Sequence, residues 1–302
     1  MKWIALVLFV LVAVVALTVT VRQNLKYDAP YPDIRTSTDS ALIARGKHLV
    51  YSSAHCINCH SKTNADSLIN LGLDVPLTGG VLFHLPVGKV YSKNITPDKE
   101  TGIGRFSDTE IARALRYGVH PDGTAVLDFM PFHNTSDNDL TAIIAYLRSQ
   151  KPIRNQVPNN SMNLLGKIVK AFVLKPVGPN GTVLKSISND TTAVYGAYLT
   201  SSVANCRGCH TKRNMATGAY IGEDYAGGAQ IEGFITPNLT PDSSGRIFNW
   251  SKQNFIERFR MGKLYPKTPM PWNSFKRMTD EELTAIYNYL KTVRPVKTEK
   301  IN

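Results

Sequence analysis

The chain has 302 residues, long enough for about two domains, with an ordinary globular hydrophobic share of 43% and only four cysteines. Its formal charge of +12 suits acidic partners or anionic headgroups. The Lys and Arg residues are scattered and form no long run, which argues against a nucleic-acid binder.

The first predicted element runs from Trp3 to Val21 without charge or proline. Nineteen such residues just suffice to cross a bilayer core of about 30 Å. A cleaved signal peptide is the alternative. Val14-Val15-Ala16 offers a weak cleavage site, but the apolar run continues beyond it and contains no A-x-A. The expectation is therefore an uncleaved membrane anchor within residues 1–26. Lys2, Arg22 and Lys26 flank it on both sides and set no orientation.

A helix is predicted over 39–52, capped by Thr38 or Asp39, leading into Cys56-Ile57-Asn58-Cys59-His60. A second covers 107–117, with Gly118 as its stop. A third covers 137–148, with Leu140, Ile143, Ile144 and Leu147 at helical spacing. Residues 151–188 read as a linker broken by Pro152, Pro158, Pro176 and Pro179. Within it, Leu165, Ile168, Val169 and Phe172 share a helical face, with Lys167 and Lys170 elsewhere. Such a helix either rests on a membrane surface or packs between domains, and ordinary amphipathicity favours packing.

The series then repeats. Gly46 and Gly196 each stand ten residues before the first cysteine of Cys56–His60 and of Cys206-Arg207-Gly208-Cys209-His210. Gly79-Gly80 answers Gly227-Gly228, and Asn94-Ile95-Thr96-Pro97-Asp98 answers Asn238-Leu239-Thr240-Pro241-Asp242. Arg116-Tyr117-Gly118 matches Arg260-Met261-Gly262, Met130-Pro131-Phe132 matches Met270-Pro271-Trp272, and Tyr146-Leu147 matches Tyr289-Leu290. The order never breaks, so one unit is present twice, over 27–150 and 189–302. No alternating run is long enough to build a sheet, and the expected class is all-α. Gly inside a helix costs about 1 kcal/mol against Ala. Gly46 and Gly196 therefore predict close helix crossings, against Tyr146 and Tyr289.

C-x-x-C-H is the attachment pattern for c-type haem. Two residues between the thiols let them reach the two vinyl groups, and the adjacent histidine binds the iron as proximal ligand. Both motifs together use every cysteine of the chain. A zinc ribbon would bring its pairs about 15–20 residues apart, and a thioredoxin-like site needs a βαβ setting. Ordinary disulfides would leave the histidines unexplained. The expectation is two covalently bound haem c groups, on Cys56, Cys59 and His60 and on Cys206, Cys209 and His210.

For the second axial positions the matched Met130 and Met270 are the candidates. Thioether sulfur favours ferrous iron and raises the potential, and both residues precede a proline that stiffens the loop. Rivals are His84, His120 and His133 for the first site, and Met261 and Met278 for the second. Met162 and Met215 lie outside the repeated loop. His48 and His55 have no matched histidines and are expected to face solvent. Phe106, Trp250, Phe132 and Trp272 are expected to line the crevices. Arg116 and Arg260 either pair with propionates or are solvated helix-end residues. The Asn94 and Asn238 amides reach either haem or backbone.

Helix, C-x-x-C-H, methionine loop and closing helix together resemble the mono-haem cytochrome c domain. N-I-T-P-D…T-G-I-G, L-R-x-G and M-P-F are similar to the haem domains of membrane cytochrome c subunits that serve alcohol and sugar dehydrogenases. Those subunits usually carry three haems, whereas this chain has motifs for two. The resemblance implies two tandem mono-haem domains behind a transmembrane anchor. It implies an electron-transfer protein, not an enzyme, relaying single electrons between a dehydrogenase and a terminal acceptor such as an oxidase or soluble cytochrome. Attachment of c-type haem on the exported side implies the periplasmic face of a bacterial inner membrane. A dihaem redox enzyme, such as a peroxidase or thiosulfate-oxidising protein, is the competing class. Such an enzyme needs an open or displaceable iron position, and the matched methionines argue against one.

Overall fold

The computed structural model describes residues 2–214 and 219–299. Helix α1 (Lys2–Arg22) is the one helix among them long and apolar enough to cross a membrane. Only Val19 on it is buried.

The first half follows the predicted series closely. Helix α2 (Ser40–Tyr51) starts at Asp39, whose carboxylate accepts from the Leu42 amide at 2.7 Å. Short helices α3 (Cys56–His60) and α4 (Ala65–Asn70) come next. Helix α5 (Asp108–Tyr117) opens on a reciprocal capping box between Ser107 and Glu110 and ends on Gly118 at φ 61°. Helix α6 (Asp137–Ser149) closes the unit.

Small sheets are present where none was expected. Strands β1 (Leu82–Leu85) and β2 (Gly88–Tyr91) form a hairpin, and β3 (Ser161–Met162) pairs antiparallel with β2. Strands of four and two residues are too short to display alternation, which is why the pattern hid them. Helix α7 (Leu164–Phe172) follows β3 directly.

In the second half, α8 (Ala193–Tyr198) widens into a π turn over Leu199–Val203 before α9 (Cys206–His210). A hairpin of β4 (Gln230–Ile231) and β5 (Phe234–Ile235) leads to α10 (Lys252–Arg260), α11 (Trp272–Phe275) and α12 (Asp280–Leu290).

The two glycines do what their cost predicts. A Cβ on Gly46 would stand 1.9 Å from the Ala142 carbonyl oxygen and 2.8 Å from Tyr146 Cβ. On Gly196 the distances are 2.0 Å to the Ala285 oxygen and 2.8 Å to Tyr289 Cβ. Helix α2 crosses α6, and α8 crosses α12, at backbone contact. Leu49, Leu140 and Ile144 fill one crossing, and Leu199, Leu283 and Ile286 the other.

The halves meet through a buried polar cluster built reciprocally. His48 on α2 bonds Glu282 on α12 at 2.8 Å, while Tyr198 on α8 donates to Asp139 on α6 at 2.8 Å. These are equivalent positions exchanged between copies, as a two-fold relation requires. At its centre Arg45 pairs with Asp139 at 2.9 Å and Glu282 at 3.4 Å, and donates to Tyr195, its own equivalent, at 3.2 Å. A second seam joins α3 and α4 to α11: Asn58 accepts from Ser274, and Asp66 binds Asn273 and Arg277. His55 meets Phe275 edge-on with centroids 5.5 Å apart. His48 and His55 are thus junction residues, not solvent-facing ones. Their partners lie more than 200 residues away, beyond the reach of local pattern.

Candidate functional site

Each C-x-x-C-H segment is a single helical turn entered through a left-handed residue, His55 at φ 40° and Asn205 at φ 51°. Asn and His tolerate that region better than most side chains. This kink aims the turn away from the preceding helix and went unnoticed in the sequence, although Asn205 carries the signal. None of the four cysteines is in a disulfide. Burial pushes the thiols of Cys56 and Cys206 up to about 12 and also raises Cys59 and Cys209.

His60 and His210 are buried and held the same way. Nδ1–H of His60 donates to the Lys93 carbonyl at 2.7 Å, and that of His210 to the Pro237 carbonyl at 3.0 Å. Burial lowers both imidazole pKa values, so each ring is neutral with Nε2 as its lone-pair nitrogen. An orienting bond on one ring nitrogen is the usual support for a metal-binding histidine.

The matched glycine pairs explain how those carbonyls arrive. Gly79 (φ 67°) and Gly227 (φ 73°) donate their amides to the His60 and His210 carbonyls at 2.8 and 2.7 Å. A Cβ on Gly79 would sit 2.4 Å from the Lys93 oxygen, and one on Gly227 2.5 Å from the Pro237 carbonyl carbon. Only glycine lets the orienting strand approach so closely while adopting positive φ.

Met130 and Met270 are both half-buried against the core. Each begins the same tight turn: the Phe132 amide donates to the Met130 carbonyl at 2.9 Å, and the Trp272 amide to the Met270 carbonyl at 2.8 Å. Pro271, at φ −78° and ψ 54°, has inverse γ-turn geometry. The rivals are placed differently. His133 spends both ring nitrogens, on the Arg116 carbonyl at 3.1 Å and on Asp128 at 3.0 Å. His84 is exposed on β1, Met261 is 61% exposed, and Met278 is a fully buried core residue. Met162 sits in β3 opposite Gly88. His120 is buried enough to lower its pKa. Met215 lies outside the described residues.

The matched arginines both brace the closing helix; Arg260 is also the exposed helix-end residue expected, whereas Arg116 is buried. Arg116 is buried and binds Asp137 at 2.5 Å and the Thr135 carbonyl at 2.7 Å; Arg260 binds Asp280 and the Lys276 carbonyl. Each ties the end of the middle helix to the first residue of the closing helix. Nε of Arg116 has no partner among the described residues. The matched asparagines reach backbone: Asn94 donates to the Ile153 carbonyl at 2.9 Å, and Asn238 to the Val296 carbonyl at 2.7 Å. They pin the tail after each closing helix across the crevice. Phe132 is buried, and Phe106, Trp250 and Trp272 pack against the same core.

Two cysteines on one helical turn, a neutral histidine with one nitrogen oriented, and a glycine-relieved segment behind it fit covalent haem at both turns. Among the described residues, no three His, Cys, Asp or Glu side chains gather as a metal site of their own.

Comparison with known proteins agrees. Residues 194–294 match the cytochrome c family. The chain is 32% identical over 285 residues to the cytochrome c subunit of a quinone-type alcohol dehydrogenase from Gluconobacter oxydans, covering 87% of this chain and 57% of that one. It is 29% identical over 276 residues to the cytochrome subunit of fructose dehydrogenase from Gluconobacter japonicus, covering 85% and 53%. It is 26% identical over 274 residues to a dihaem c-type cytochrome of Cereibacter sphaeroides, covering 84% and 86%. The chain thus spans little more than half the length of the two dehydrogenase subunits.

Proposed function

We propose, from the match of residues 194–294 to the cytochrome c family, that the whole chain is a dihaem c-type cytochrome. It is read as two tandem mono-haem domains, over 27–150 and 189–302, joined by the linker 151–188. Helix α1 anchors them to the bacterial inner membrane on the periplasmic side. The protein passes single electrons from a dehydrogenase to an oxidase or soluble cytochrome. Dehydrogenase cytochrome subunits among its relatives support the donor class, and the dihaem relative supports the count.

One observation carries the reading. The residue-for-residue repetition of the His60 and His210 bonds, with the Met130 and Met270 turns, supports reading the two turns as equivalent haem sites. Bound haem supplies a one-electron iron couple, and axial ligands and surroundings set its potential. The protein's residues do the rest. Cys56, Cys59, Cys206 and Cys209 fix the ring covalently. His60 and His210 would hold the iron through Nε2, and Met130 and Met270 would supply the second ligand through sulfur. Tails pinned by Asn94 and Asn238 help to close the crevices against water.

The test is a haem count with a spectroscopic redox titration of the purified chain. Two covalent haems, both low-spin with His/Met spectra, are expected. A single haem overturns the duplication. A high-spin or His/His site transfers the reading to a dihaem redox enzyme.

A further inference from the structure

Helix α7 is docked with the wrong face outward for a protein surrounded by water. At 100° per residue, Leu164, Leu165, Ile168 and Phe172 fall within about 100° of arc. They are 71, 52, 37 and 49% exposed. The residues turned to the protein are Gly166 and Ala171, both buried, with Val169 and Lys170 half-buried. A soluble surface helix normally does the reverse. Next along the chain, Val173 is also exposed.

The helix is held firmly in this pose. Gly166 lies so close to β2's turn that a Cβ would stand 2.0 Å from the Val87 oxygen. Asn163 caps α7 and also donates to the Pro86 carbonyl at 2.8 Å. Its far end is fastened to the last turn of α1. Nε of Arg22 donates to the Ala171 carbonyl at 3.2 Å, and its guanidinium lies 5.4 Å from the Phe172 ring centre. Val19 is the one buried residue of α1. Tyr27 continues the seam with a bond to the Leu174 carbonyl at 3.1 Å. The exposed stripe therefore begins where the candidate membrane span ends.

We propose that α7 is a second membrane contact, lying in the headgroup–acyl boundary of the bilayer that α1 crosses. Leu164, Leu165, Ile168 and Phe172 enter the acyl region, and Lys167 with Arg22 meets anionic headgroups, as in interfacial amphipathic helices. This rests on the reading of α1 as an anchor. Because α7 is rigidly joined to the first half through Val87 and Pro86, two attachment points replace a single flexible tether. They fix the height and tilt of the crevices above the lipid.

Photolabelling tests this on the full-length, haem-loaded chain in phosphatidylcholine–phosphatidylglycerol vesicles containing a lipid with a shallow diazirine. Labelled peptides are mapped by mass spectrometry. Label is expected on α1 and on residues 164–173. The variant Leu165→Gln/Ile168→Gln/Phe172→Gln should lose the α7 label and keep the α1 label. In the native chain, label on α1 alone overturns the proposal and leaves the anchor standing. Label on α7 without α1 supports the surface contact and removes the anchor. Label on neither overturns both.

Discussion

Tyr146 and Tyr289 occupy equivalent places in the two halves, and each meets another tyrosine edge-on. The partner of Tyr146 is Tyr51 on α2, with centroids 5.8 Å apart. The partner of Tyr289 is Tyr225, from the loop after α9, at 5.7 Å. The contact is the same, but the residue comes from a different part of the chain. The halves agree contact for contact around the C-x-x-C-H turns: the histidine–carbonyl bonds, the glycine approach, the methionine–proline turn. They diverge where only volume must be filled, because apolar filling can be supplied from any direction. They diverge also at the exposed rim, where the loop from Gly262 to Met270 is shorter than that from Gly118 to Met130 and loop length is free to vary.

The sharpest test of this equivalence is at the methionines. Met130→Ala and Met270→Ala should each abolish the Met–iron charge-transfer band of one haem and lower its potential. Met261→Leu should leave both spectra intact. A band lost in the Met261 variant would give the halves different ligands and break the comparison. Next come the helix crossings. Gly46→Ala and Gly196→Ala should each cost about 3 kcal/mol, since a backbone oxygen stands where the methyl would go. Denaturant unfolding followed at each haem band would show unequal costs if one crossing can relax.

The junction gives a smaller effect with a definite pH dependence. Burial disfavours ionised Glu282, but the bond from His48, the Thr279 amide and Arg45 outweigh it and hold the carboxyl below its ordinary 4.5. A depressed folded pKa means that this stabilisation is full above about 4.5 and is lost as pH falls through the folded value. Glu282→Gln should therefore cost about 2 kcal/mol at neutral pH, and the gap should close on acidification, as thermal melts across that range would show. The smallest contrast concerns the matched arginines. Arg116 is buried and Arg260 is more exposed. Arg116→Ala should cost about 1 kcal/mol more than Arg260→Ala, because it strands buried partners.

What could be read in the sequence was local or repeated. The helix beginning at Ser107, the stop at Gly118, the crossing at Gly46 and both histidine turns depend on neighbours a few residues away, or on the second copy as a witness. The junction was hidden for the opposite reason. Arg45 and His48 align with Tyr195 and Tyr198, so comparing the copies marked them as mismatches. Both copies supply a donor to the other half's carboxylate, an imidazole at His48 and a hydroxyl at Tyr198. The short strands and the left-handed entry at His55 escaped because neither leaves a period.

The seam between α4 and α11 also sets an order of events during biogenesis. Asp66 finds Asn273 and Arg277 only after some two hundred further residues have been made, and chains fold from the N-terminus as they are synthesised. Until then the Cys56–His60 turn stands beside an open flank. When α11 arrives, the flank closes. Helix α11 thus acts as a late-arriving latch over the Cys56–His60 turn.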